Sequence, residues 1–185
     1  MISLNHMKFE EKKFNIGKLK GISEKNIEEH LKLYAGYVKN LNLILEQENA
    51  KLGFEFNGVR NHEYYFASLE NGSTPLTTSG ALEKQIEKDF GSFEKWLEKF
   101  KTLGTTRGVG WAMLYYDQAT KQLLNAWVDE QHLGQLNGCQ TILALDMWEH
   151  AFVADYQPSG KKQYIEDFFE NLNWEVIEQN FKNAQ

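Results

Sequence analysis

The 185-residue sequence is short of several things, and each shortage excludes a class of protein. It has one cysteine, Cys139, so no intrachain disulfide can form and a disulfide-stapled fold is ruled out. Only two prolines occur and no repeats of tens of residues are visible, so a solenoid is not indicated. No apolar run is long enough to span a bilayer, and Met1 to Phe14 mixes charged with apolar residues where a secretory signal would carry an apolar core. Positive charge is in deficit as well. A net charge of −6 disfavours nonspecific nucleic-acid binding, while leaving room for a local basic funnel for a small anion. The expectation is a cytoplasmic protein in a reducing setting, without membrane or nucleic-acid partners. What is present suffices for a core: 42% of residues are hydrophobic and 14% aromatic, so global disorder is excluded.

Periodicity divides the chain in two. Ser23 is a suitable N-cap, and apolar residues recur with helical spacing at Ile27, Leu31, Tyr34, Val38, Leu41, Ile44 and Leu45, predicting a helix to about Glu48. A second helix is expected over Val59–Leu69, with Asn57-Gly58 as a local irregularity before it. Two such helices pack as an antiparallel hairpin. The turn-forming stretch Asn71 to Gly80 is the clearest linker, and the expected domains are 1–75 and 76–185. Ala81–Lys101 reads as helical with a break at Gly91-Ser92. Trp111–Tyr116, Gln122–Val128 and Cys139–Leu145 read as strands, the first two forming a hairpin. Trp148 onward is helical, and Gln163–Lys182 closes the chain as one helix or two. The fold class is α+β: a helical half followed by a mixed half.

One stretch carries more chemistry than the others. Leu143-Ala144-Leu145 ends at Asp146, and Trp148, Glu149 and His150 follow. Asp146 and His150 are four apart, so on a helical turn they project to one face and can reach one metal ion. As bare spacing this is common, and a capped helix start with Trp148 in the core is the plainer reading. The other histidines are His6, His30, His62 and His132. His30 falls on or near the apolar stripe of the first helix and His62 in Asn61-His62-Glu63-Tyr64-Tyr65-Phe66. Each alone reads as a packed or hydrogen-bonded histidine.

The wording of the segments goes further than their spacing. DMWEHAF followed by ADY resembles the metal-binding signature of the iron/manganese superoxide dismutases. ISEKNIEEHLKLYAGYVKNLN resembles that family's first helix, and FNGVRNHEYYF its second ligand segment. LEKQIEKDFGSFEKWLEKF, GVGWAMLYY and LNWEVIEQNF resemble its later elements, in order and over essentially the whole chain. The resemblance implies an N-terminal helical hairpin plus a C-terminal domain with a three-stranded antiparallel sheet and surrounding helices. It implies His30, His62, Asp146 and His150 as ligands of one iron or manganese ion per subunit, with a fifth position for solvent. This donor set suits either metal. A two-histidine, one-carboxylate oxygenase is a poorer fit, because it needs more open positions.

The implied activity is that of an antioxidant enzyme, in which one superoxide is oxidised to oxygen and a second reduced to peroxide while the ion changes valence. A non-catalytic metal-binding or interaction protein on the same fold is the alternative. Gln131 or His132 is expected to bond the solvent, with His132 slightly favoured, and Trp111, Trp127 and Trp148 to wall the site. Tyr37 matches the family's gateway tyrosine. It lies seven residues after His30 where the family commonly has eight, so a regular α-helix without a π-bulge is expected. The family's cross-subunit histidine–tyrosine pair is replaced here by Leu33-Tyr34 and Val153. Glu149 keeps the place of a dimer-contact residue, implying a homodimer or a tetramer. Arg60, Lys32 and Lys39 are candidates for a basic funnel, although a solvated helix face is the plainer reading of the lysines.

Overall fold

Among the described residues, regular structure begins with the helix that follows Ser23. In the computed structural model, which describes residues 8–46 and 52–185, the Ser23 hydroxyl accepts the backbone N–H of Asn26 at 3.1 Å. Helix α1 then runs Glu24–Glu46, and the expected end near Glu48 lies outside the described residues. It is α-helical throughout, without a π turn. Seven residues at 100° each make nearly two turns, so His30 and Tyr37 share the buried face.

Helix α2 runs Leu52–Ala67, beginning earlier than the expected Val59. Asn57-Gly58 lies inside it and breaks nothing. The glycine is there for packing: a Cβ at Gly58 would sit 2.5 Å from Cδ1 of Tyr37, so the absent side chain is what lets that ring lie against α2. Helices α3 (Ala81–Phe90) and α4 (Phe93–Gly104) flank the expected break. Gly91 takes a φ of 91°, and the Ser92 hydroxyl caps α4 through Lys95 N.

Strands β1 (Gly110–Asp117), β2 (Gln122–Asp129) and β3 (Cys139–Asp146) form an antiparallel sheet in the order β2-β1-β3. The chain then forms α5 (Glu149–Tyr156), a 3-10 turn at Pro158–Gly160, α6 (Lys161–Asn171) and α7 (Trp174–Ala184). The closing segment is therefore a pair of helices. Central β1 is buried along nearly its whole length, and α2 packs against β3, which brings the helical hairpin to the strand end carrying Asp146.

Residues 8–22 form neither helix nor strand, so their backbone polar groups need other partners. Side-chain amides supply them. Asn42 bonds both the N–H and the C=O of Phe9, at 2.8 and 2.9 Å. Asn171 does the same for Lys20, at 2.8 and 2.9 Å. This strap crosses the outside of α1 and reaches α6. Asn171→Leu strips two backbone groups of Lys20 of their partners and is expected to cost about 1–3 kcal/mol. Chemical denaturation measures this, and an unchanged midpoint would contradict the clasp.

Candidate metal centre

The four expected ligands come from four elements. His30 projects from the middle of α1, His62 from α2, Asp146 from the last position of β3, and His150 from the first turn of α5. One donor atom from each lies within 4.8 Å of the others. Three ring nitrogens converge on one carboxylate oxygen. His30 Nε2 and His150 Nε2 are each 3.1 Å from Asp146 Oδ2, and His62 Nε2 is 3.6 Å from it. The side chains of His30, His62 and Asp146 are wholly buried, while that of His150 is 26% exposed.

Local structure fixes where each donor points. Asp146 Oδ1 accepts the backbone N–H of Trp148 at 2.8 Å, which starts α5 and leaves Oδ2 facing the histidines. The hydroxyl of Tyr164 donates to the Asp146 carbonyl at 2.9 Å and stands 3.2 Å from that of Tyr65, tying α6 and α2 to the strand end. His62 Nδ1 donates to the Gly58 carbonyl at 2.6 Å, so Nε2 is the nitrogen left with a lone pair.

The donor set fits a cation. His62 Nε2 is buried and has no hydrogen-bond partner, an arrangement that costs free energy unless an acceptor of that lone pair arrives. Burial, reinforced by the charge of His30, pushes His62 down to about 3. Burial also lowers His30, against the pull of Asp146. Both rings are therefore neutral at physiological pH, the form that binds metal. Burial alone would raise the Asp146 carboxyl. His150 and His30 outweigh it and hold the group well below the usual carboxylate range, so the site keeps one anionic oxygen. Three imidazoles and one carboxylate suit iron or manganese.

A second layer lies against these residues. Asp129 and Leu133 exchange backbone hydrogen bonds at 2.8 and 3.1 Å, closing a tight loop with Glu130 at a φ of 52°. The loop turns Gln131 inward, where it is fully buried. The indole N–H of Trp111, which can only donate, bonds Gln131 Oε1 at 2.9 Å. Gln131 Nε2 must then face the other way, and it donates to the Tyr37 hydroxyl at 2.9 Å. The Tyr37 oxygen thus accepts from Gln131, leaving its own hydrogen free. Burial raises this phenol well above its ordinary range, so it stays protonated. Asn61, next to His62, anchors the loop by donating to the Gln131 carbonyl at 3.0 Å.

Two expectations need correcting. The slight preference for His132 over Gln131 does not fit the geometry. The ring of His132 packs edge-on against Phe54, 5.8 Å away, outside the Trp111–Gln131–Tyr37 chain. Trp127 does not wall the centre either. It pairs with Ala112 across the sheet while Trp111 pairs with Val128 and with Asp146, so Trp127 and Trp111 occupy opposite faces. Its indole bonds Asp129 and lies under Lys161. Trp111 and Trp148 do line the site: their rings lie 5.0 Å from His62 and 5.8 Å from His150 respectively.

Other expected residues divide similarly. Glu149 is exposed beside His150, Leu33 is exposed on α1, and Val153 is half-buried. Tyr34 is buried and donates to Glu63 at 3.3 Å. Glu63 also meets Lys12 at 2.9 Å and Arg60 at 2.7 Å, so Arg60 is committed to an ion pair and is no free funnel cation. Lys32 pairs with Glu29, and Lys39 is exposed. Sequence reasoning missed Glu63, Asn61 and the role of Gly58. A glycine one helical turn before a candidate ligand was the available signal for Gly58.

A family model described as iron/manganese superoxide dismutases, C-terminal domain, matches residues 78–180, more than half of the chain. The chain belongs to the iron/manganese superoxide dismutase family. It is similar to the protein named superoxide dismutase [Fe] of Cupriavidus metallidurans, 35% identical over 90% of this chain and 92% of that one. It is also similar to superoxide dismutase [Mn] 2 of Haloferax volcanii, 33% identical over 82% of each. With superoxide dismutase [Mn] 2 of Halobacterium salinarum the identity is 41%, over 63% of this chain and 56% of the relative.

Two predictions follow from the buried superoxide dismutase site. In the metal-free protein the unfolded chain takes up a proton at His62 below its ordinary 6.5, while the folded chain resists until about 3. Folding stability should therefore fall as pH drops through that window, at up to about 1.4 kcal/mol per pH unit for this histidine. His62→Gln should flatten that slope in pH-dependent denaturation, and an unaltered slope would contradict it. In an ordinary helix Gly→Ala gains about 1 kcal/mol. Gly58→Ala should instead lower the melting temperature, because the new Cβ displaces Tyr37.

Proposed function

We propose that the chain is a superoxide dismutase that uses one iron or manganese ion per subunit, held by His30, His62, Asp146 and His150. The observation that carries the reading is the convergence of four buried or half-buried donors within 4.8 Å in a chain of this family. When bound there, the ion supplies one-electron redox chemistry toward superoxide. No observation favours a non-catalytic relative.

The protein's own part is positioning and proton supply. Asp146 brings the negative charge that offsets a trivalent cation. His62 is oriented by Gly58, and Asp146 by Trp148 N–H and Tyr164. Gln131 is locked between an indole donor and a phenol acceptor, so its amide cannot flip without losing a bond. Tyr37 holds its proton and has it free to give. The aromatic rings of Trp111, Tyr65 and Phe66 keep bulk water from the buried histidines. Two ligands precede residue 75 and two follow it, so a bound ion would fasten the proposed domains 1–75 and 76–185 together.

A second copy of the chain completes the arrangement. His150 is the least buried of the four ligands, and Glu149 stands exposed beside it on the same turn. A homodimer in which Glu149 of each copy reaches His150 of the other closes that opening, and Leu33 and Val153 give the contact an apolar character. Among the described residues no helix is long and apolar enough to cross a membrane. The single cysteine suits the cytoplasm.

Protein reconstituted separately with iron and with manganese tests the function. Superoxide consumption should track the content of at least one metal. Full loading without turnover would sink the enzymatic reading. Glu149→Ala should shift sedimentation toward monomer and speed metal loss to a chelator, and an unchanged mass with unchanged retention would rule the contact out.

A further inference from the structure

Two buried polar atoms on α1 are left without partners, and they lie one turn apart. His30 Nδ1 is one and Asn26 Oδ1 is the other. When Nε2 of His30 gives its lone pair to a metal ion, the neutral ring carries its hydrogen on Nδ1, making that atom a donor without an acceptor. In Asn26 the amide orientation is set by its NH2 group, which donates to the Ala151 carbonyl at 3.3 Å and to Asp155 Oδ2 at 3.0 Å. Its oxygen is therefore an acceptor without a donor. Residues i and i+4 are neighbours on a helix surface. Both side chains lie against α5, Asn26 through Ala151 and Asp155, and His30 through the ring of His150 4.8 Å away. Each orphan is costly alone, and together they are complementary.

We propose that Asn26 is the positioning residue of His30: its Oδ1 accepts the Nδ1–H of His30, directly or through one bridging water, and Asp155 holds the amide in place. Asp155 Oδ2 also accepts the backbone N–H of Ser23 at 2.9 Å, so the carboxylate is itself fixed at the start of α1. The line Asp155–Asn26–His30 does for this ring what the Gly58 carbonyl does for His62. It sets the tautomer and ring rotation and makes Nε2 a better donor to a metal. The proposal rests on the reading that His30 is a ligand.

The test compares Asn26→Leu, which keeps size but removes the acceptor, with the paired exchange Asn26→Asp and Asp155→Asn, which keeps an acceptor oxygen toward His30 and a donor between the two side chains. Manganese affinity is measured by competition with a chelator, alongside the urea stability of the metal-free proteins. In protein labelled with 15N-histidine and loaded with diamagnetic zinc, the Nδ1–H resonances are followed as well. Asn26→Leu should weaken manganese binding about 10–100-fold and shift or lose the His30 Nδ1–H signal while that of His62 stays, whereas the paired exchange should stay within about three-fold of the parent. Parental affinity with an unmoved His30 signal in the leucine variant overturns the proposal, as does equal loss in both variants. Should the leucine variant not fold, Asp155→Asn is expected to weaken binding in the same direction by less, and no change there overturns it. Failure of the parent to bind either manganese or iron would instead overturn the metal reading on which this rests.

Discussion

A fully buried carboxylate oxygen faced by three imidazole nitrogens is the constraint on which the rest of the structure turns. An ionised Asp146 in a dry interior is costly unless it is paired and hydrogen-bonded. Here its Oδ2 is faced at hydrogen-bond distance by the ring nitrogens of His30 and His150, and its remaining groups are bonded by the Trp148 N–H and the Tyr164 hydroxyl. The helical hairpin supplies two of the three rings. The sheet supplies the carboxylate at the end of β3, and the helix following it the third ring. Among the described residues, neither half of the chain holds such a cluster alone.

Around that core the protein spends its polar residues on orientation. Trp111 dictates how Gln131 lies, and Gln131 dictates that the Tyr37 oxygen accepts, leaving a phenolic hydrogen uncommitted. The same economy appears in α2, where Gly58 yields space to the Tyr37 ring and lends its carbonyl to His62. Glu63 has a different part. It gathers Lys12, Arg60 and Tyr34, and so binds the N-terminal strap to both ligand-bearing helices immediately beside His62.

Much of this was legible before any coordinates. Helical period, Ser23 and Ser92 as caps, and alternating strands located most elements, because those signals are local. The four donors were legible through the wording around them and not through spacing, since His30, His62 and Asp146 lie far apart in the chain. What stayed hidden depended on the direction of side chains. Gln131 and His132 are adjacent in a polar loop, and only the loop closure between Asp129 and Leu133 with Glu130 left-handed turns one inward and the other toward Phe54. Trp127 looked like a site wall until strand register put it on the opposite face from Trp111. The second helix was expected to start too late because Asn57-Gly58 reads as a local irregularity, when the role of Gly58 is to admit a ring from its neighbour. The uninterrupted α-helix between His30 and Tyr37, by contrast, followed from counting residues.

The central claim is that side chains from α1, α2, β3 and α5 meet at a single redox-active ion. Diffraction from crystals of the manganese-loaded protein, collected for anomalous scattering from manganese, tests it most directly. The account predicts one strong anomalous peak per subunit, within bonding distance of His30 Nε2, His62 Nε2, His150 Nε2 and Asp146 Oδ2 together. A peak elsewhere, or one from which any of those four atoms is turned away, would contradict it.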